Sequence, residues 1–538
     1  MRSAMPVDAI RASSPQRHTL LAASAVLLFL LAVGTVLVAT QSGPGLREDS
    51  YTYVTAAESL AAGTGLGRWA SDGTFRPLLH FPPLFPYVVA LFKLAGLKVI
   101  PAVRWFHAVL FGLTAILTGL ITKRLSGSIA CSALSCGLVL ASPSLIETYS
   151  WLHSEPLYLF LASLTLLALG ACLSRPRNSL YPWLAGGGAA LALLDRFAGI
   201  SLVLAGCVLL LIEGRPAGKR GLRRALVFLG VAVLPAAVFA IGNYLAYGNA
   251  LDRPGPTWHP PSLGAWAEGS AAVLGWILPQ RIVATIPVPA MLLLGMAMLL
   301  VVGAGMSTLY VRLRRSPTPS ASEAGSWALL LAGYFTSYLV VLLLTVLFFD
   351  RLTPLNDRIL SPLYLTAVPA VAVAAKRLWI LRRPGWIRGL LAVLLISGAL
   401  LQGYRSFRFV ATTRQAGLGL SGRQWRGSPT IAYLRTLPAH PLYSNNLPAL
   451  YFLAGRDAAF VPSSWNPASD QPRVDFDSGL ERMRRDLRCQ GALLIIVGSN
   501  PAERLPVSDR AELFEGLTVV AKLEDGLVYG APPDSCPG

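Results

Sequence analysis

Charge is what this chain has least of. Only 14% of its 538 residues are Asp, Glu, Lys or Arg, where soluble globular chains run near 25%. With 54% hydrophobic residues and a mean hydropathy of +0.55, that scarcity excludes a soluble globular protein and leaves a polytopic membrane protein. Acids are scarcer than bases, 27 against 46, for a net charge of +19. The bases do not form a nucleic-acid patch, because they fall in short clusters between apolar runs, as cytoplasmic loops do. Six cysteines are present without CxxC or zinc spacing, which argues against a structural metal site. Cys131, Cys136, Cys172 and Cys207 lie in apolar segments as small core residues. Cys489 and Cys536 lie in the polar C-terminal region and are able to pair if that region is extracytoplasmic. No repeat of solenoid period is visible, nor is a P-loop or a Rossmann glycine pattern.

The basic clusters assign sides to the apolar runs. Lys123-Arg124, Arg175/Arg177, Arg215–Arg224, Arg312/Arg314/Arg315 and Lys376–Arg388 read as cytoplasmic loops, accompanied by few acids, chiefly Asp8, Glu213 and Glu323. The alternate loops hold Glu48, Asp49, Asp72, Glu147, Glu155, Asp195, Asp252, Glu268, Asp350 and Asp357. This alternation predicts about eleven membrane spans, at 19–40, 101–122, 127–145, 155–173, 181–195, 197–213, 223–246, 286–310, 326–348, 359–375 and 387–403. The first run is too long for the core of a cleaved signal peptide, so the N-terminus, with Arg2, Arg11 and Arg17, is expected in the cytoplasm. Residues 51–62, Pro82–Gly96 and Trp266–Pro279 read as interfacial helices; counting Pro82–Gly96 as a span would invert every later loop.

From about residue 404 the apolar runs shorten and charge rises. Pro441–Asn446 and Ala458–Val461 read as strands, Pro448–Ala454 and Phe476–Cys489 as helices, and Ala492–Val497 as a buried strand. Leu517–Lys522 and Leu527–Tyr529 flank Glu524-Asp525-Gly526 as a hairpin. The expected division is a transmembrane domain over 1–403 and a small α/β domain over 404–538. An odd number of spans places the second domain outside the cytoplasm.

Several stretches invite chemistry. Glu48-Asp49 directly follows the first span, and acids at such a mouth are costly and usually have a task. A Gly-rich turn (Gly63, Gly65, Gly67) and His80-Phe81-Pro82-Pro83-Leu84 come next. His153-Ser154-Glu155-Pro156-Leu157-Tyr158 opens a span, Asp195-Arg196-Phe197-Ala198-Gly199 separates two, and Asn356-Asp357-Arg358-Ile359-Leu360-Ser361-Pro362 opens a late one. Tyr443-Ser444-Asn445 and Leu453-Ala454-Gly455-Arg456 lie in the C-terminal region. In order and topology this set resembles the GT-C glycosyltransferases, in particular the protein mannosyltransferase and aminoarabinose transferase group, over most of the chain. The resemblance implies a polyprenyl-phosphate sugar donor, transfer at the outer face of the plasma membrane to a glycan, lipid or protein acceptor, and Asp49 as general base.

On the residues themselves, Asp49 also suits the N-cap of a helix starting near Ser50, and Glu48 is the alternate base. Glu155 is the best second acid. Arg358 and Arg196 offer planar forks suited to phosphate oxygens, against ordinary snorkelling to the interface. Tyr51, His80, His153, Trp258 and His259 are candidate sugar or acceptor contacts, with interface anchoring the commoner role for the aromatics. A divalent cation held by His80, His153, Glu155 and His259 is conceivable, but no i, i+4 ligand pair supports it. Two other classes remain open: a secondary transporter, for which inverted repeats and broken helices would be the sign, and a non-catalytic envelope assembly protein working through its outer domain. Arg, Ala and Gly usage points to a bacterial source.

Overall fold

The structure, a computed structural model, describes residues 15–69, 74–175, 177–214, 218–252, 255–315, 318–380, 385–466, 471–498 and 507–532. Most of the basic N-terminal stretch, and Cys536, lie outside them; Cys489 is disulfide-bonded.

All eleven expected spans form helices. They are α1 (Pro15–Ala39), α4 (Val99–Ser126), α5 (Ile129–Leu140) with α6 (Pro143–Ser150), α7 (Glu155–Ser174), α8 (Leu180–Asp195), α9 (Ile200–Gly214), α10 (Lys219–Tyr247), α13 (Val288–Arg314), α14 (Pro319–Leu344), α15 (Asp357–Ile380) and α16 (Gly385–Ala416). Between α1 and α4 come α2 (Glu48–Ala61), the short strands β1 (Gly67–Trp69) and β2 (Phe75–Pro77), and α3 (Leu84–Leu94); α11 (Leu263–Gly275) and α12 (Gln280–Val283) precede α13. Eight of these helices are long and apolar enough to cross a membrane, nine if α5 and α6 count as one broken span. At 16 and 15 residues, α8 and α9 reach only about 24 Å, less than the hydrocarbon core.

Three expectations need correction. The span at 127–145 is bent by 58°, because the Ser142 side chain caps a new helix at Leu145 N and Pro143 occupies its first turn. The helix expected over Trp266–Pro279 starts earlier, at Leu263, where the Ser262 side chain caps it, and ends at Gly275. The helix expected over 51–62 begins at Glu48, with Arg47 at its N-cap. Asp49 therefore sits in its first turn and is not the cap. Ser50 makes the difference: its hydroxyl accepts from Arg47 N and donates to Leu152 O.

Small residues bring the helices together where lipid offers no hydrophobic drive. A Cβ on Gly170 would lie 2.1 Å from the Trp327 ring, and one on Gly188 2.6 Å from Thr165 Oγ1. Arg104, inside α4, is satisfied at the end of α1 by Leu37 O and Thr40 Oγ1.

The helix expected to end at 403 continues to Ala416. Beyond it lie α17 (Arg423–Arg426), α18 (Pro429–Thr436), β3 (Leu442–Ser444), α19 (Leu447–Ala449) with a π turn (Leu450–Ala454), β4 (Ala459–Phe460), β5 (Trp465–Asn466), β6 (Gln471–Pro472), α20 (Phe476–Cys489), β7 (Leu493–Val497), α21 (Val507–Phe514), β8 (Thr518–Leu523) and β9 (Gly526–Gly530). A five-stranded sheet runs β4-β3-β7-β9-β8, parallel between β3 and its neighbours and antiparallel from β7 onward. Leu480, Met483 and Leu487 on one face of α20 pack on it. Its other side joins the transmembrane core through Ile431, Leu434, Leu447 and Leu450. Tyr451 donates to Glu58 of α2, so this unit sits directly on the segment between α1 and α4.

Candidate active site

The segment between α1 and α2 is held as a strand on both sides. Gly45 N donates to Ser150 O and Leu152 N to Gly45 O, each at 2.9 Å, while Leu420 N donates to Leu46 O at 3.1 Å. Gly45 is required here: a Cβ would lie 2.4 Å from the Trp151 ring. This fixes the backbone that leads into Asp49.

The structure gathers Asp49, Glu155, Arg196, Arg358 and His153 into one cluster, drawn from four elements. Arg358 Nη1 donates to Asp49 Oδ2 at 2.7 Å, and Arg358 Nε lies 2.8 Å from Glu155 Oε1. Arg196 Nη1 donates to the same Glu155 oxygen at 2.6 Å and to Ser154 Oγ at 3.1 Å. Arg47 Nε donates to His153 Nε2 at 2.8 Å, with its guanidinium 4.4 Å from the Trp151 ring centroid. His153 thus carries its proton on Nδ1, which lies 3.8 Å from Glu155 Oε2.

Charge in this cluster is unbalanced. Three guanidinium groups (Arg47, Arg196, Arg358) face two carboxylates (Asp49, Glu155), and Glu155 is almost fully buried while Asp49 and Arg358 are about three-quarters buried or more. Burial pushes the Asp49 carboxyl up, but the charge and hydrogen bond of Arg358, with His153 beside it, together hold the group below the ordinary carboxylate range. Burial, reinforced by Arg358 and Arg47, keeps His153 well below its ordinary value and so neutral. Burial pushes Arg196 down, but Glu155 together with Tyr53, Tyr338 and Asp195 overcomes that and raises it. Glu155 Oε2, His153 Nδ1 and Arg358 Nε make no hydrogen bond, nor does either carboxylate oxygen of buried Asp195 beside Arg196. Buried polar atoms that make no hydrogen bond are uncommon and call for an explanation such as a ligand.

Other candidates lie apart from this cluster. Glu48 is exposed and its side chain makes no ion pair among the described residues; neighbours in sequence diverge on a helix. Tyr51 is buried, its hydroxyl accepting from Arg68 Nη1 at 3.3 Å and its ring edge-on to Tyr451 at 5.2 Å. His80 packs on Phe81, which packs on Tyr53. Trp258 packs against Phe348, and His259 N donates to Leu347 O. No hydrogen bond or ion pair among the described residues links His80, Trp258 or His259 to Asp49. Nor do the described residues hold a group of three or more His, Cys, Asp or Glu placed to bind a metal.

Sequence reasoning missed Arg47, Ser154, Tyr53 and His107. Tyr53 stands at i+4 from Asp49, on the same helix face, and its hydroxyl is 3.2 Å from Ser154 Oγ. His107 lies inside α4, with Nδ1 3.0 Å from Trp151 O; an ionisable residue within an apolar span was the available signal.

No family model matches the chain, and no curated protein matches it by sequence. Solved structures do match in shape. ArnT from Cupriavidus metallidurans bound to undecaprenyl phosphate has a TM-score of 0.52 at 15% identity, over 98% of this chain and 100% of that one. The oligosaccharyltransferase AglB from Archaeoglobus fulgidus, in complex with an inhibitory peptide and a dolichol-phosphate, gives 0.52 at 14%, over 90% and 70%. Another structure of the Archaeoglobus fulgidus oligosaccharyltransferase was obtained with Zn and sulfate. The arabinofuranosyltransferase AftD from Mycobacteria gives 0.52 at 17%, over 96% of this chain and 40% of that one. At such identities the likeness establishes the fold: this chain has the GT-C architecture of multi-pass membrane proteins.

Proposed function

We propose that this protein is an integral membrane glycosyltransferase that moves a sugar from a polyprenyl-phosphate donor to an acceptor outside the cytoplasm, with Asp49 as general base. In this reading the N-terminus is cytoplasmic, residues 1–403 hold the catalytic machinery, and residues 404–538 form an extracytoplasmic domain covering the first outer loop. The observation that carries it is the Asp49–Arg358–Glu155–Arg196 cluster, where a carboxylate with a quarter of its side chain exposed stands 2.7 Å from a guanidinium within a net positive, largely buried setting. ArnT and AglB, of the same fold, bind undecaprenyl phosphate and dolichol-phosphate.

The reaction needs two things in one place. An acceptor hydroxyl oxygen bonds to the anomeric carbon as that carbon's bond to the phosphate oxygen breaks. The electron pair leaves on the phosphate, and the hydroxyl proton passes to Asp49. A single displacement of this kind inverts the anomeric carbon. Leaving-group charge is stabilised by preorganised donors, here Arg358 and Arg196, while Glu155 positions both.

The resting pair is a poor base, because Arg358 depresses the basicity of Asp49. A donor phosphate competes for the Arg358 fork and so frees the carboxylate as the substrate arrives. Glu155, already sharing one oxygen between two guanidinium groups, keeps Arg358 within reach of both positions.

Mass spectrometry of lipid retained by the purified protein tests the donor class. Retention of a polyprenyl phosphate or its sugar conjugate, lost in Arg358→Gln, supports the reading. Failure of any such lipid to bind, in protein that remains folded, defeats it.

A further inference from the structure

A second basic site lies outside this cluster. α1 ends at Ala39, and α16 changes character near the same level. Leu390, Val393, Leu394, Ile396, Leu400, Tyr404 and Phe407 are exposed large hydrophobics along its lipid-facing length. From Arg408 onward its exposed positions turn basic and polar, with Arg414 and Gln415. A tyrosine followed by arginines marks the headgroup level of a bilayer. At that level a recess of about 360 Å³ is lined by Gln41, Ser42, Arg414, Gln415, Arg423 and Arg426. It abuts a second of about 480 Å³ over Gly417, Gly419 and Gly422.

Three guanidinium groups line the first recess and no acid does. Arg414 Nε is oriented by Gln41 Oε1 at 2.7 Å, and Arg426 Nη2 by Ser421 O at 3.0 Å. The Arg423 guanidinium makes no hydrogen bond or ion pair with the described residues. Asp525, which reaches the helix start just after Arg426, is committed to Ser428 and Thr430. Three converging arginines without a counter-ion carry a self-repulsion that an anion relieves, and planar forks favour phosphate oxygens.

We propose that this recess binds a phosphate group, supplied by the headgroup of an anionic membrane lipid, at a site separate from the Asp49 cluster. The floor of the site is tied to the catalytic strand: Ser421 Oγ donates to Pro44 O at 2.7 Å, and Leu46 bridges to Gly419. A bound headgroup therefore braces the segment that ends in Asp49. The binding claim does not rest on the transfer reaction.

The test uses the full-length protein in nanodiscs of phosphatidylcholine alone or with phosphatidylglycerol, followed by native mass spectrometry of retained lipid. Wild type should retain phosphatidylglycerol selectively. Arg423→Gln, which disturbs no described contact, should weaken retention about tenfold, the order for one charge-assisted hydrogen bond. Arg414→Gln with Arg423→Gln should abolish the selectivity, while Arg423→Lys should restore part of the single loss. A parallel arm titrates inorganic phosphate against thermal unfolding in phosphatidylcholine discs. Stabilisation there that depends on Arg423, without selective lipid retention, overturns the lipid as the source. Equal retention of the two lipids by wild type, or unchanged retention in the double variant, overturns the site.

Discussion

Replacing Arg358 with Gln separates the two jobs assigned to it. Its guanidinium meets Asp49 at 2.7 Å and Glu155 at 2.8 Å, with 18% of the side chain exposed. Removing one partner of a buried pair costs about 3–5 kcal/mol. Here Glu155 keeps Arg196 and the Asp49 carboxylate reaches water, so about 3 kcal/mol is the expected loss of stability. Loss of one donor to the developing phosphate charge should cost about 10²–10³ in kcat. Burial then acts on Asp49 unopposed by Arg358, so its pKa rises. A base works only when deprotonated, so the acidic limb of kcat/KM should move to higher pH. The assay is release of polyprenyl phosphate from a synthetic sugar donor by protein in nanodiscs, across pH. A variant with the wild-type rate and an unmoved acidic limb would refute the reasoning.

The remaining expectations follow from the same cluster. Glu155→Gln leaves Arg196 and Arg358 without their shared carboxylate, and should lower the thermal unfolding midpoint more than Asp49→Asn does, since Glu155 is the more buried. Gly45→Ala drives a methyl into Trp151, costing about 1–3 kcal/mol. It should reduce kcat without altering the acidic limb, because it displaces Asp49 without changing its charge partners. In wild type the folded Asp49 pKa is depressed. Its contribution to stability is present above the unfolded carboxylate pKa and is lost as pH falls through the folded one. Acid unfolding of wild type and Asp49→Asn should therefore converge at low pH.

The alternation of basic and acidic loops sufficed to locate eleven helices, because the bilayer imposes length and sidedness on each run. Hydrophobic periodicity also located α20, and the turn signal Glu524-Asp525-Gly526 located the β8–β9 hairpin. The breaks were harder to see. The bend after α5 turns on a single cap, Ser142, in an otherwise continuous apolar stretch. The start of α2 turns on Ser50 reaching both Arg47 and Leu152, a tertiary contact across 102 positions. Asp49, Glu155, Arg196 and Arg358 were legible as ionisable residues beside spans. That one Glu155 oxygen serves two arginines from different helices was not, since nothing local encodes it. Tyr53 was passed over for Tyr51 because the helix phase depends on where α2 begins.

Single-turnover transfer by Asp49→Asn tests the central claim most directly, with donor binding measured on the same sample. Loss of the base should slow transfer by about 10²–10⁴ while the polyprenyl-phosphate donor still binds. Transfer at the wild-type rate would show that another group takes the acceptor proton.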